Sequence, residues 1–200
     1  MFITFEGGEG SGKTSIIDEV FKHFNQTKTM IVSREPGGSF IAEAIRSLVL
    51  NPDHKGMSYQ TEALLYAAAR AQHLDDILIP AFKEKDIVLC DRYIDSSFAY
   101  QGYARGLGLE YIEKINDYAM QHLPKLTFYI DVDPEIGIAR IQKRDKYDRL
   151  DQETIDFHKK VREGYLHIAA LYPNRMMVID GHQPLKDVIS QIIQILEREI

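Results

Sequence analysis

The sequence has few of the residues that build disulfides, zinc sites or membrane spans. Cys90 is its only cysteine, which excludes an intrachain disulfide and a cysteine-built zinc site. Seven histidines are scattered along the chain without the H-E-x-x-H spacing of a zinc protease. No apolar run approaches the roughly 20 residues that a membrane-spanning helix needs. We therefore expect neither a membrane protein nor a zinc enzyme of that type.

The sequence also lacks the excess of positive charge that general nucleic-acid binding requires. Its 24 Lys and Arg residues against 30 Asp and Glu residues give a formal net charge of -6, whereas nucleic-acid affinity depends on neutralising phosphates. The length of 200 residues, 44% of them hydrophobic, is typical of one globular domain. The N-terminus enters an apolar strand pattern at once and leaves no space for a secretory signal. We expect a single cytoplasmic domain, residues 1–200, without a nucleic-acid partner.

Glycine, in contrast, is concentrated near the N-terminus. The segment FEGGEGSGKT, residues 5–14, follows the apolar residues 1–4 and precedes a helical pattern. Its spacing, G-x-x-x-x-G-K-[ST], is that of a phosphate-binding loop, in which glycines let backbone amides face an anion at a helix N-terminus. Lys13 is expected to reach the β- and γ-phosphates of ATP, and the Thr14 hydroxyl to help hold Mg²⁺. The predicted ATP-binding residues are Gly7, Gly8, Glu9, Gly10, Ser11, Gly12, Lys13 and Thr14.

Short apolar runs alternate with helical patterns along the whole chain. This alternation predicts an α/β fold: a five-stranded parallel sheet with right-handed crossovers and helices on both faces. A long helical tract at 58–83 contains Pro80, where we expect a kink or a break. The predicted strands are residues 2–5, 28–33, 86–90, 126–132 and 175–180. Ligands of such sheets bind beyond the carboxyl ends of the strands.

Charged residues follow two of the predicted strands. Asp91 occupies the position of a magnesium-binding acid in nucleotide-binding proteins, although helix-capping aspartates are also common there. Arg34 and Arg92 follow the second and third strands, and guanidinium groups suit bidentate binding of phosphate. A second phosphate site beside the glycine loop would imply a phosphorylated acceptor. Ion pairs, such as Arg92 with Asp95, are the alternative.

Two further segments offer candidate residues. Tyr66 and Arg70 are four residues apart and share a helix face, where they could stack on a base and hydrogen-bond its edge. The alternative is that one of these two residues packs in the core and the other lies on the surface. The segment 142–153 could close as a lid that brings positive charge to a transferred phosphoryl group, or it is a solvated loop. Its basic residues are Lys143, Arg144, Lys146 and Arg149.

Five segments, in this order along the chain, resemble the thymidylate kinase family. They are FEGGEGSGKT, REPGG, TEALLYAAAR, DRYIDSSFAYQGYARG and RLDQE. The likeness covers essentially the whole chain, and DRYIDSSFAYQG is far more specific than the glycine loop. The resemblance implies a P-loop nucleoside monophosphate kinase fold with a short lid, Mg²⁺ and a homodimer. It implies transfer of the γ-phosphate of ATP to dTMP, giving dTDP and ADP for dTTP synthesis; another deoxynucleoside monophosphate is the alternative acceptor.

The resemblance also implies roles for individual residues. Glu9 would approach the acceptor, Arg34 and Arg92 would hold its phosphate, and Glu35 would lie near the metal and sugar. The metal residues would be Thr14 and Asp91. The residues around thymine and its nucleoside would be Arg46, Tyr66, Arg70, Ser97, Tyr100 and Gln101. The catalytic residues would be Lys13, Glu9, Arg34, Arg92 and, from the lid, Arg144 and Arg149.

Two positions depart from the family pattern. Gly10 stands where some members carry an arginine after the acidic loop residue, and the basic lid fits the bacterial type, in which the lid supplies the catalytic arginine. Tyr66 stands where phenylalanine is expected, and a buried tyrosine hydroxyl needs water or a polar partner. A nucleotide-hydrolysing switch is the rival from another class. The sequence contains neither the N-K-x-D of signalling GTPases nor the SGGQ signature of ABC ATPases.

Overall fold

Five parallel strands form one sheet in the order β2-β3-β1-β4-β5. The computed structural model describes residues 1–141 and 148–200. The strands are β1 Phe2–Glu6, β2 Met30–Arg34, β3 Ile87–Asp91, β4 Leu126–Asp131 and β5 Met176–Asp180. All five predicted strands and the parallel α/β class are confirmed, with small shifts in the strand ends.

Helices connect the strands and flank the sheet. The α-helices are α1 Lys13–Phe24, α2 Phe40–Leu50, α3 Tyr59–His73, α4 Ile79–Glu84, α5 Ile94–Ser97, α6 Leu109–Ile115, α7 Asp117–Met120, α8 Pro134–Ile141, α9 Ile155–Leu171 and α10 Leu185–Glu199. Two π-helical segments, Leu74–Leu78 and Phe98–Ala104, continue α3 and α5. Within the described residues, none of the helices has the length and apolar character needed to cross a bilayer.

Two buried clusters of apolar side chains lie on opposite faces of the sheet. On one face, α1 and α10 cover alternate strand residues such as Ile3 and Phe5. On the other face, α3, the second π-helical segment and α9 cover Val88 and Tyr129. Each such buried side chain contributes about 1.5–3 kcal/mol to folding. The prediction of helices on both faces of the sheet is therefore confirmed. These helices cover the faces of the sheet and leave free the ends of the strands, where ligands bind in such sheets.

The predicted helical tract at 58–83 is a chain of three helical pieces. It begins at Ser58, whose hydroxyl accepts a hydrogen bond from the Thr61 amide at 3.1 Å, as an N-cap does. The regular α-helix ends at His73, and the wider π turns follow before Pro80. Pro80 lies in the first turn of α4, where its missing N–H breaks no helical hydrogen bond. The interruption thus precedes the proline.

The residues after β3 form helical structure that the periodicity did not predict. α5 and the second π-helical segment are short, and their sequence mixes small, polar and aromatic residues rather than an apolar stripe. They place Ser97, Tyr100 and Gln101 near the carboxyl end of β3, where all three are buried. The neighbouring strand ends there too, because Arg34 of β2 is the register partner of Asp91.

Candidate active site

The glycine loop, Gly7–Thr14, joins β1 to the N-terminus of α1 at the carboxyl edge of the sheet. Gly10 adopts a left-handed φ of 67°, and a Cβ added to it would lie 2.1 Å from the Gly137 carbonyl oxygen. No side chain fits there, which explains why an arginine is absent at this position. The Lys13 ammonium bends back over the loop and donates to the Gly7 and Gly8 carbonyls at 3.0 and 3.2 Å. The loop is closed on itself around a cation.

The pKa of Lys13 is lowered in this position. Burial first and the neighbouring Arg92 guanidinium second lower its pKa from 10.5 to about 8, against the attraction of Asp91 and Glu9. Two cations held close together in a partly closed site favour the approach of an anion. The loop, the helix end and these two cations therefore suit the binding of a polyphosphate.

Asp91 fits the role of a magnesium residue. Its Oδ1 atom is buried and has no hydrogen-bond partner among the described residues, and an orphaned carboxylate oxygen is costly unless it binds a cation. Asp91 and Thr14 line the same cleft as the glycine loop. The described residues contain no group of three or more His, Cys, Asp or Glu side chains that would hold a metal alone. Mg²⁺ does not need one, since one or two protein oxygens, phosphates and water usually complete its shell.

Arg92 is held in a strained and heavily bonded position. Its φ of 67° is the only positive φ of a non-glycine residue in the described part of the chain. Its guanidinium donates to Glu9 at 2.6 Å and to the Tyr165 hydroxyl at 3.2 Å. Asp95, the partner considered from the sequence, is instead bound by Arg175 at 2.7 Å. The geometry therefore turns Arg92 towards the glycine loop rather than away from it.

Glu9 joins the glycine loop to Arg92 and Tyr100. Its carboxylate accepts from the Tyr100 hydroxyl at 3.0 Å as well as from Arg92. Burial alone would raise the pKa of Glu9, but Arg92 and Lys13 more than offset it, and the net pKa is lowered. Glu9 therefore stays an anion that orients the guanidinium beside the loop.

Arg34 and Arg46 border the same region. The cleft beside the glycine loop, here called the loop cleft, has a volume of about 830 Å³ and is lined by Arg34, Arg46 and Arg92. Arg34 donates to Glu43 at 2.7 Å, and Arg46 donates to the Pro36 carbonyl at 2.7 Å. Both predicted phosphate-binding arginines, Arg34 and Arg92, are thus brought to one cleft with the glycine loop.

A second cavity, of about 570 Å³ and partly open to solvent, lies against the loop cleft and is lined by aromatic and polar side chains. Tyr66, Tyr100, Ser97 and Gln101 line it. The Ser97 hydroxyl is buried and has no hydrogen-bond partner among the described residues, so it is available to a ligand. Burial raises the pKa of Tyr66, which keeps its hydroxyl neutral.

Arg70 lines the second cavity from a fully enclosed position. It is 2% exposed and donates to Glu35 at 2.7 Å, to Asn116 at 2.6 Å and to the Tyr93 carbonyl at 3.1 Å. Glu35 also contacts the His73 ring at 3.0 Å. Tyr66 and Arg70 are therefore both buried around one cavity, so Arg70 is not a surface residue.

The two cavities meet along a common wall. Glu9, Glu35, Arg46 and Arg92 line both of them. A ligand in the second cavity that carries an anionic end would direct that end at Arg92 and at the glycine loop. The arrangement suits two ligands whose phosphates face each other.

The predicted lid lies partly outside the described residues. Arg144, Lys143 and Lys146 fall in 142–147, of which nothing is described. Arg149 is buried, and it donates to Glu62 at 2.6 Å and to the Val49 carbonyl at 3.0 Å. Its charge is paired with Glu62 in this arrangement, and its catalytic role stays a prediction.

Several residues of the site were missed from the sequence. Glu6 is fully buried and accepts hydrogen bonds from Ser96 at 2.6 Å and Tyr165 at 2.8 Å, the same hydroxyls that Arg92 contacts. Burial, with a smaller effect of Asp95, raises the pKa of Glu6 to about 7. The apolar pattern of the sequence did not indicate that Glu6 belongs to the site, because Glu6 lies at the end of that pattern, directly before the glycine loop. Glu62 had a signal, since it lies four residues before Tyr66 on the same helix face.

A family model, curated relatives and a solved structure all indicate the same family. The family model described as thymidylate kinase matches residues 5–192. A thymidylate kinase of Acholeplasma laidlawii is 53% identical over 197 residues, covering 96% of each chain. One of Lactobacillus helveticus is 49% identical over 204 residues, covering 100% of this chain and 96% of the relative. The crystal structure of thymidylate kinase from Ehrlichia chaffeensis has a TM-score of 0.80 at 33% identity, covering 98% of each chain. The chain belongs to the thymidylate kinase family.

Proposed function

We propose that this chain transfers the γ-phosphate of ATP to the phosphate of dTMP, producing ADP and dTDP for dTTP synthesis. One observation carries the proposal: the loop cleft and the second cavity share a wall that contains Arg92 and Glu9. A phosphorylated acceptor in the second cavity would meet the end of a nucleotide bound at the glycine loop. A protein that only hydrolyses ATP needs no such second cavity.

Positioning and charge neutralisation suffice for this reaction. Lys13 and the loop amides would hold the phosphates of ATP, while Arg92 and Arg34 would hold the phosphate of dTMP. Two anions must approach in line, and the fixed cations offset their repulsion. The acceptor phosphate is already anionic, so no side chain needs to act as a strong general base.

The second cavity suits the nucleoside part of dTMP. The Tyr66 ring would stack on thymine, while Arg70, Gln101 and Ser97 would bond its edge and Tyr100 would lie at the sugar. Glu35 and Arg46, at the wall shared with the loop cleft, would contact the end of the nucleotide near its phosphate. The side chains that line the cavity favour one size and shape of base.

Mg²⁺ is the proposed cofactor. The unpartnered Oδ1 of Asp91 and the nearby Thr14 hydroxyl would hold it in the loop cleft. When bound, Mg²⁺ supplies positive charge that neutralises the phosphates of ATP.

We also propose a homodimer in the cytoplasm, where ATP is available, with each chain a single P-loop kinase domain and 142–153 as its lid. An apolar surface on the paired helices α2 and α3 supports a second copy as the partner. Phe40 is 93% exposed, and Ile41, Leu48 and Leu64 are 44–50% exposed. Exposed apolar residues grouped on adjoining helices mark interaction surfaces.

An acceptor series tests the function. ADP release is followed with dTMP, thymidine, dUMP and dCMP as acceptors, each with ATP and Mg²⁺. We expect the highest kcat/KM with dTMP and almost no turnover with thymidine, which offers no phosphate to Arg92 and Arg34. A preference for thymidine or dCMP would refute the assignment of the acceptor. ADP release at the same rate without any acceptor would refute the kinase and favour a switch.

A further inference from the structure

Glu62 lies behind the base-binding end of the second cavity, where it is fully buried. One of its carboxylate oxygens accepts hydrogen bonds from the Gln101 side-chain nitrogen at 2.9 Å and from the Arg105 Nε at 3.3 Å. The other oxygen accepts from Arg149 at 2.6 Å and from Arg105 at 3.2 Å. Since it is paired with two guanidinium groups, the Glu62 side chain is an anion that accepts hydrogen bonds and donates none.

This contact fixes the orientation of the Gln101 amide. A side-chain amide has a donor end, its NH₂ group, and an acceptor end, its carbonyl oxygen. Glu62 binds the donor end, so the carbonyl oxygen of Gln101 is the end left for the second cavity. The reversed amide would set its oxygen against a carboxylate oxygen and leave both acceptors unpaired in a buried site, which is costly.

Arg70 adds donors to the same cavity. A guanidinium has five N–H groups, and three of them bond Glu35, Asn116 and the Tyr93 carbonyl. The other two N–H groups have no hydrogen-bond acceptor among the described residues, and Arg70 lines the second cavity. The cavity thus offers one fixed acceptor, on Gln101, beside fixed donors on Arg70.

This order of acceptor and donors matches thymine and uracil and opposes cytosine. Thymine and uracil carry an N3–H donor beside the O4 acceptor, whereas cytosine carries an N3 acceptor beside its N4 amino donor. Cytosine in the same pose would set acceptor against acceptor and donor against donor. A site built to hydrogen-bond one pattern discriminates strongly, because its own buried groups are left unpaired by the wrong ligand.

We propose that Glu62 is a positioning residue that fixes the hydrogen-bond polarity of the base site through Gln101 and thereby excludes cytosine nucleotides. This inference rests on the proposed function, since it presumes that a pyrimidine nucleotide occupies the second cavity. Glu62 itself contacts no substrate.

The test compares kcat/KM for dTMP, dUMP and dCMP in the unaltered chain and in Glu62→Gln. The new glutamine can donate as well as accept, so Gln101 becomes free to turn. We expect the preference for dTMP over dCMP to fall about 10- to 100-fold. The preference for dTMP over dUMP should stay unchanged, because the two bases present the same edge and differ only by the 5-methyl group. A general loosening of the cavity would change both ratios.

Glu153→Gln is the matched control. Glu153 accepts from the same Arg105 at 2.6 Å but has no contact with Gln101 among the described residues. Both preference ratios should equal those of the unaltered chain in this variant, whatever its turnover. A fall in the dTMP preference here would show that the guanidinium pairs, and not Gln101, set the selectivity, and it would overturn the proposal.

A double variant shows whether Glu62 acts through Gln101. In a Gln101→Leu background, Glu62→Gln should cause no further change in the dTMP to dCMP ratio. The proposal is overturned if the ratio falls equally in both backgrounds, or if folded Glu62→Gln keeps the full preference. Failure of the unaltered chain to phosphorylate dTMP would instead refute the proposed function.

Two further measurements test the proposal even if Glu62→Gln does not fold. Glu62→Asp keeps the negative charge beside the arginines but shortens the side chain by one methylene group, which lengthens the 2.9 Å contact with Gln101, and the same fall in the dTMP to dCMP ratio is expected. In the unaltered chain, the side-chain NH₂ protons of Gln101 should resonate downfield in the NMR spectrum, as expected for a hydrogen bond to a carboxylate. An ordinary solvent-exposed position of that signal would overturn the proposal.

Discussion

Replacing Lys13 with methionine should stabilise the fold while it destroys phosphoryl transfer. Lys13 is only 8% exposed, and burial first and Arg92 second lower its pKa from 10.5 to about 8. A pKa lower in the folded than in the unfolded chain means that the protonated lysine opposes folding at neutral pH. This difference corresponds to about 3 kcal/mol at pH 7. We expect Lys13→Met to raise the free energy of unfolding by about 1–3 kcal/mol. The loss of the hydrogen bonds that the lysine donates reduces this gain.

The pH dependence of the free energy of unfolding tests whether the protonated Lys13 opposes folding. Between pH 8 and pH 10.5, the unfolded chain holds the Lys13 proton more often than the folded chain does, so the stability of the unaltered chain rises with pH. Lys13→Met lacks this contribution. The stability gap between the two proteins should therefore shrink by about 2 kcal/mol from pH 7 to about pH 9.5. Urea unfolding followed by circular dichroism at several pH values measures the gap.

The same variant should lower kcat/KM for ATP by about 100- to 1000-fold, the effect of removing a group that stabilises charge in the transition state. Lys22→Met is the matched control on the same helix. Its side chain is 67% exposed and pairs only with Glu19 among the described residues, so stability and turnover should stay close to those of the unaltered chain. The reasoning is refuted if Lys13→Met is the less stable protein at pH 7, if the stability gap does not change with pH, or if kcat/KM for ATP stays close to that of the unaltered chain.

Three further variants test the remaining parts of the site. Arg92→Lys should reduce kcat/KM for dTMP about 100-fold, because an ammonium cannot bond a phosphate in two places and Glu9 at once; initial rates near those of the unaltered chain would contradict this. Asp91→Asn should raise the Mg²⁺ concentration needed for half-maximal velocity about 10-fold, and an unchanged Mg²⁺ titration would remove Asp91 from the metal site. Phe40→Glu should convert a dimer to a monomer in analytical ultracentrifugation, and an unaltered sedimentation coefficient would place the dimer surface elsewhere.

The parts of the fold that could be predicted depend on local patterns. Apolar runs of strand length marked all five strands, and in β1, β3 and β4 this is because a sheet covered on both faces keeps both sides of each inner strand apolar. The glycine loop was predictable because its spacing is set by the close approach of backbone to phosphate. The position of Asp91 at the carboxyl end of β3 could be predicted because an apolar run precedes it, and its magnesium role stays a prediction.

The parts that could not be predicted depend on contacts between distant segments. Arg92 pairs with Glu9, which is 83 positions away in the chain, rather than with nearby Asp95. The hydrogen bond from Gln101 to Glu62 spans 39 positions, and that from Arg149 to Glu62 spans 87. No local pattern encodes such pairs, since they depend on how helices pack across the sheet.

A crystal structure with dTMP, Mg²⁺ and a non-hydrolysable ATP analogue tests the central claim most directly. We predict that the triphosphate lies on the loop amides beside Lys13, while the phosphate of dTMP contacts Arg92 and its base stacks on Tyr66. Binding of dTMP away from the second cavity, or with its phosphate turned from the glycine loop, would contradict the arrangement of two nucleotides with facing phosphates.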